Sequence, residues 1–410
     1  MKIKNLIYLN YLQLINIKTG VRNYSSDKSG LSGDFLEWFK GFTDAEGCFY
    51  IKHSRATQFS FSLFIVLHID DKKVLEYIRD TLNMGTVVVS GNKVIFTIVK
   101  QEDINKIINI FTISPLNSIK HLNFLAFKKA FELYINSKDK SIVFQEILDI
   151  KNSMNKNLSN VDTLKREINI TPGWLLGFSE GDGCFSVSIC NSKTKNKEVK
   201  ISFILGQKDI DILLIESIQE YFYKLCGIKF NIIDRKDNYF YLKISNKVFI
   251  KALISIFQPL EWHTKKELDF QDWVLIFNLR EEGFHLTEEG LRIISELRSQ
   301  INNFRLSTNK TPEKVDRCQL IKEANELLNG PSNYEYIDGK IFVKSLNIFI
   351  GQTAGNILEL QDENGNTIKT FKSGVECANF LNLSTTTVYS RLQSQKFVIY
   401  QDKNYIIKKK

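Results

Sequence analysis

Residues Trp38–Phe49 read WFKGFTDAEGCF, and residues Trp174–Phe185 read WLLGFSEGDGCF. Six of the twelve positions are identical without a gap, and three more are Thr/Ser or Asp/Glu exchanges. An internal repeat of this density sets the architecture before any local reading does. The likeness continues downstream. Alternating apolar patterns, the mark of half-buried strands, cover Phe49–Ile51 and Phe59–Leu67 after the first motif, and Phe185–Ile189 and Val199–Leu205 after the second. Helical patterns follow at Asp71–Leu82 and Asp209–Leu225, strand-like runs at Thr86–Val99 and Phe230–Ile244, and helices again at Gln101–Phe111 and Val248–Phe257. Pro115-Leu116 and Pro259-Leu260 then lead to Lys-x-Leu-x-Phe helices beginning near Lys120 and Lys266. The order is αββαββα twice, an α+β module with an antiparallel sheet in each copy, and the predicted whole is one pseudo-symmetric monomer.

The motif itself predicts a helix. Thr171 is suited to N-cap and Pro172 to the first helical position, and Gly183 ends the turn. In the first copy Asp34 and Glu37 form a candidate capping pair, and Gly47 closes the helix. Small residues recur four apart, Gly41 and Ala45 in one copy and Gly177 and Gly181 in the other. Such a face lets two backbones approach closely. Glycine inside a helix costs about 1 kcal/mol relative to alanine, so the face predicts a helix–helix contact between the repeats. Side-by-side packing would bring Glu46 and Asp182 together at the C-terminal ends, where the helix dipole and their mutual repulsion both disfavour anions. A divalent cation relieves both problems. Hard oxygen ligands suit Mg²⁺, and metal ions at such a site activate water and stabilise the leaving oxygen in phosphodiester cleavage.

Phe39–Gly47 and Leu175–Gly183 resemble the two motifs of LAGLIDADG homing endonucleases, over about residues 34–280. The resemblance implies saddle-shaped antiparallel sheets and a double-strand break in a long DNA target, promoting intron homing. It places the metal-binding acids on Glu46 and Asp182, with Ala45 and Gly181 beside the metal. Asp44 and Glu180, two positions earlier, read as structural residues at the helix ends. It also implies a basic residue and a glutamine near the site. Gln207 fits the glutamine, with His68 in the corresponding place of the first copy; Lys120 and either Lys265 or Lys266 are the candidate bases. The family reads DNA with its sheets in the major groove. That makes Lys52, Ser54, Arg55, Gln58 and Ser60 candidate DNA contacts in the first copy, and Ser186, Ser188, Asn191, Lys193, Lys195, Lys200 and Ser202 in the second.

The remaining chain divides as follows. Residues 31–137 and 171–283 are the two units, 138–170 a polar linker, 284–355 a helical and polar connector, and 356–410 a small C-terminal module. In that module a strand hairpin around Asn364-Gly365-Asn366 precedes helices capped by Ser373 and Ser384. The pair reads as a helix-turn-helix, similar to the modular DNA-binding repeats associated with such nucleases. It would present Thr385, Thr386, Tyr389, Ser390 and Arg391 to DNA. Residues 1–30 form a basic leader: the first 26 carry Lys2, Lys4, Lys18 and Arg22 and no acid, which resembles a mitochondrial presequence or the tail of an upstream reading frame.

Composition narrows the class. A net charge of +9 favours a polyanionic partner. The six cysteines include no C-x-x-C pair, which points away from zinc, and no apolar run reaches a membrane-spanning length. The expected partner is double-stranded DNA. Two rivals remain at this level: a maturase acting on group I intron RNA, and a transcription regulator on the same scaffold, which would be expected to lose an acid.

Overall fold

The computed structural model describes residues 31–154, 167–191, 197–227, 233–309, 316–338, 340–350, 358–371, 373–401 and 403–409. Residues 1–30, Lys193, Lys195 and the stretch around Thr311-Pro312 therefore lie outside the described residues. Two compact units emerge, one of residues 1–281 and 288–327, the other of residues 282–287 and 328–410.

The first unit holds both repeats. Copy one runs α1 (Gly33–Glu46), β1 (Gly47–His53), β2 (Phe59–His68), α2 (Lys72–Leu82), β3 (Thr86–Ser90), β4 (Lys93–Ile98), α3 (Gln101–Ile113), α4 (Lys120–Asn136) and α5 (Lys140–Ser153). Copy two runs α6 (Pro172–Asp182), β5 (Gly183–Asn191), β6 (Lys197–Lys208), α7 (Ile212–Cys226), β7 (Ile233–Lys236), β8 (Tyr239–Ile244), α8 (Lys247–Phe257), α9 (Lys266–Glu281) and α10 (Glu288–Arg298). Each sheet is antiparallel, in the orders β1-β2-β4-β3 and β5-β6-β8-β7. Period-2 alternation decides which face is buried. Phe49, Ile51, Phe61, Leu63, Ile65 and Phe96 are inside in copy one, as are Phe185, Ile201, Phe203 and Leu205 in copy two. The other face of each sheet stays open. Among the described residues no helix is long and apolar enough to cross a membrane.

Several features depart from the sequence reading. Helix α1 is capped by Ser32, whose side chain accepts from the Phe35 amide at 3.2 Å, and not by the Asp34/Glu37 pair. Starting two residues earlier leaves Glu37 free to accept from the Thr171 hydroxyl at 2.6 Å, across the repeat boundary. The linker opens with helix α5, and α10 follows α9 in copy two, so a further helix comes after each αββαββα unit.

Residues 288–327 are not a connector but part of the two-repeat unit. Strand β5 is an edge strand whose outer carbonyls need partners. Arg298 and the Asn302 amide donate to the carbonyls of Val187 and Phe185 at 3.1 and 2.9 Å. Arg305 then bridges the buried carboxylates of Asp269 and Asp272, and Arg317, the first residue of α11 (Arg317–Asn329), pairs with Asp272 at 2.7 Å. A buried carboxylate without such partners would be strongly destabilising.

The second unit contains an unforeseen three-stranded sheet of β9 (Tyr334–Ile337), β10 (Lys340–Val343) and β11 (Ile348–Phe349), in the order β11-β10-β9. Its C-terminal part is built from β12 (Leu358–Gln361), β13 (Thr367–Phe371), α12 (Gly374–Leu381), α13 (Thr385–Ser394), β14 (Val398–Tyr400) and β15 (Lys403–Lys409). The strands form one sheet, β13-β12-β15-β14, and the helices close over it around Leu360, Phe371, Cys377, Val388 and Ile407. Strands β14 and β15 were not foreseen.

Candidate functional site

Helices α1 and α6 pack backbone to backbone. A Cβ added to Gly41 would land inside van der Waals contact with the Trp174 carbonyl oxygen, and one added to Gly177 would meet that of Trp38 in the same way. One added to Gly181 would collide with the Ala45 methyl and lie 3.3 Å from Glu46 Oε1.

Two swapped carboxylates lock this pairing. Trp174 Nε1 donates to Asp44 of the opposite copy at 2.8 Å, and Trp38 Nε1 donates to Glu180. Asp44 also accepts from the Asn117 and Ser118 amides, both at 2.9 Å, and Glu180 from the His263 and Thr264 amides at 2.9 and 2.7 Å. Asp44 and Glu180 are thus buried acceptors joining the two copies. The sequence held a signal for this, since each motif has a Trp six residues before its acid, but not for the exchange.

The next turn ends the helices and places Glu46 and Asp182 beside each other. Burial raises the pKa of Glu46, and the Asp182 charge raises it further. Asp182 reaches solvent, yet the crowding of protein around its carboxyl raises its pKa as well, against the pull of Lys120 and of a Gln207 hydrogen bond. Lys120 Nζ donates to the Ala45 carbonyl at 2.5 Å, and Lys266 Nζ to that of Gly181 at 2.7 Å. These lysines offset the negative ends of both helix dipoles. Burial depresses the pKa of each, while the neighbouring carboxylates work the other way.

Lys265, the alternative base, is turned elsewhere: its ammonium pairs with Asp71 at 2.6 Å. Lys265 sits just before α9, where its backbone amide and its ammonium are both held by Asp71, and this leaves Lys266 as the lysine that faces the acids. Gln207 Nε2 donates to Asp182 Oδ2 at 2.6 Å. Its counterpart is not His68. Gly47 pairs with Ile65 and Gly183 with Leu205, so the residue two further along is Leu67 in copy one and Gln207 in copy two. His68 instead bonds Thr308 and Asp70. Glu46 therefore has no amide partner from this position.

The donor set fits a hard divalent cation. Two crowded carboxylates with raised proton affinity converge, while among the described residues no three His, Cys, Asp or Glu side chains do. A site this sparse suits an ion that keeps water and takes substrate oxygens.

Of the DNA-reading candidates, Lys52, Ser186, Ser188 and Lys200 lie on the open sheet faces, and Arg55 and Gln58 in the connection between β1 and β2. Lys52, Arg55, Gln58 and Lys200 are exposed, and Ser186 and Ser188 are half-buried. In α13, Thr386 and Tyr389 are exposed and Thr385 and Arg391 half-buried. The Tyr389 ring also packs on Gly374, where an added Cβ would lie 2.7 Å from its hydroxyl.

The sequence profile described as LAGLIDADG endonuclease matches residues 39–131 and 175–277, one match per copy. Both copies thus match the LAGLIDADG endonuclease family. With the relatives below, that match makes the chain a DNA endonuclease. The meganuclease I-SmaMI, solved bound to an uncleavable DNA, is 27% identical with a TM-score of 0.59, over 66% of this chain and 99% of that one. Another structure of I-SmaMI holds uncleaved DNA in the presence of calcium ions. An uncharacterized mitochondrial protein of Saccharomyces cerevisiae, RF1, is 28% identical over 79% of this chain and 75% of its own length. Probable intron-encoded endonuclease 3 of Neurospora crassa is 29% identical over 67% of this chain, which spans 56% of that protein.

Proposed function

We propose that this protein is a site-specific homing endonuclease that makes a double-strand break in a long DNA target by Mg²⁺-dependent phosphodiester hydrolysis. The observation that carries this reading is the pairing of Glu46 and Asp182 at the ends of two helices held together by Gly41 and Gly177. Glu46 and Asp182 would hold the cation, next to the Ala45 and Gly181 carbonyls. When bound, the cation supplies charge neutralisation and an activated water.

The chain's own groups do the rest. Gln207 fixes one Asp182 oxygen, so the other is presented in one orientation. Lys120 and Lys266, anchored on helix carbonyls, hold positive charge where a scissile phosphate would sit, and their lowered pKa values ease proton donation from Nζ. The open sheet faces, with Lys52, Ser186, Ser188 and Lys200, and the connection between β1 and β2, with Arg55 and Gln58, suit the major groove. Names of relatives that include "mitochondrial" and "intron-encoded" support a mitochondrial setting. Incubating the purified protein and Mg²⁺ with a randomised DNA library should give cut ends sharing one long motif. Uncut DNA throughout would refute the reading.

The C-terminal helix pair supports DNA binding outside the main site. Residues 356–410 carry eight Lys or Arg against five Asp or Glu, a surplus of three. Deleting them should weaken DNA binding modestly and lower the salt slope by about one unit per lost phosphate contact. The footprint should shrink on one side only, while cleavage at saturating protein survives. An unchanged footprint, with loss of splicing of a group I intron RNA instead, would favour the maturase reading.

A further inference from the structure

We propose that the sheet of copy one carries a methyl-reading row, Val66–Ile95–Val88, which takes thymine C5-methyl groups in the major groove of one half-site, and that the sheet of copy two has no such row. The inference rests on the DNA-cleaving reading above.

The row follows from register. Val66 pairs with Ile95, and Ile95 with Val88, so the three side chains stand in line across β2, β4 and β3. The strand neighbours of Val66 and Ile95, namely Ile65, Val94 and Phe96, are buried, so the row belongs to the opposite, open face, and β3 carries it to the sheet edge, where Val89 is exposed as well. Val88 is 57% exposed. Polar rows flank it, Thr97 with Thr86 on one side and Lys93 with Ser90 on the other. Strands β1 to β4 contain no Asp or Glu, so nothing in them repels a phosphate backbone.

Strands in a sheet lie about 4.8 Å apart. The row is thus about 10 Å long, or three base steps of about 3.4 Å each. Aliphatic side chains can match only one feature of the major-groove edge, the methyl group of thymine. Against guanine they would leave buried acceptors unpaired, which costs free energy. RNA carries uracil, which has no methyl.

The second sheet differs at the same positions. Gly183 pairs with Leu205 as Gly47 pairs with Ile65, so Gly206 stands where Val66 does, and its partner Tyr241 stands where Ile95 does. The Tyr241 ring covers Gly206, where an added Cβ would lie 2.9 Å from Cε1. That sheet offers a phenol in place of methyl groups.

The test uses the full chain and two pools of randomised duplex, one made with thymidine and one with deoxyuridine, bound in the presence of calcium ions and sequenced. Fragments from the thymidine pool should share two or three A·T pairs on one side of the motif. In the deoxyuridine pool enrichment at those pairs should fall about fourfold per methyl, the factor for one buried carbon, with the rest of the motif unchanged. Val88→Ser, which removes both methyls at an exposed site, should erase the difference between pools at one of these positions. Equal enrichment in both pools, or a difference that Val88→Ser leaves untouched, overturns the inference while the DNA-cleaving reading stands. The absence of any shared motif in either pool overturns that reading and the inference with it.

Discussion

Glu46→Gln and Asp182→Asn should each abolish double-strand cutting, by at least about 10³-fold, the scale of losing a group that stabilises transition-state charge. Binding to DNA without metal should persist, because neither residue lies on the open sheet faces. The same variants should melt at a higher temperature at neutral pH. Both carboxyls hold protons more tightly folded than unfolded, Glu46 through burial and the Asp182 charge, and Asp182, though it reaches solvent, through the protein crowded around its carboxyl. Their contribution to stability is therefore full below the ordinary carboxylate range, near about 4, and is lost as pH rises through the raised folded values. Removing either charge relieves that loss. Mg²⁺ should raise the melting temperature of the wild type through mass action and leave both variants unmoved. Activity should fall on acidification at a pH above the ordinary carboxylate range, since protons compete with the cation. Full cutting by either variant, or in EDTA, would sink the mechanism.

Sequence carried the repeat because motif, strands and helices recur in order, and periodicity fixes those elements wherever one face is buried. It failed where a decision depends on register or on contacts between copies. Counting along the chain put His68 opposite Gln207; the β1–β2 register puts Leu67 there. The choice between Lys265 and Lys266 turns on the orientation of α9, which sequence does not give, and the structure resolves it through the Lys265–Asp71 pair. Asp44 and Glu180 looked like ends of their own helices, yet each accepts from the tryptophan of the other copy. Strands β9 to β11 were missed because they are two to four residues long and expose Tyr336, Ile337 and Ile348, so no alternation marks them.

The asymmetry of the site has a common physical origin with its strongest structural demand. One carboxylate is a glutamate without an amide partner at position 67, the other an aspartate held by Gln207. Two unlike acids can meet only if the helices carrying them are almost in backbone contact. Gly177→Leu therefore tests the architecture directly. At this position even the first side-chain atom would press on the Trp38 carbonyl oxygen and lie 2.9 Å from the Phe42 amide nitrogen. These are backbone atoms, which cannot swing away as a side-chain tip can. Leucine would gain about 1 kcal/mol or less in helix propensity over glycine. Overpacking of this kind costs about 1–3 kcal/mol, occasionally more, and a rigid backbone neighbour puts it at the upper end. The melting temperature should fall by roughly 6–12 °C, taking about 2–4 °C per kcal/mol for a large domain. Cleavage should be lost with it, since spreading the helices separates Glu46 from Asp182 and strains the Trp38–Glu180 and Trp174–Asp44 hydrogen bonds. Gly91→Ala is the matched control: an added Cβ there meets nothing within 4 Å, although the positive φ of 56° costs something of its own. If Gly177→Leu melted like the wild type and still cut both strands, the two helices could not be packed as described.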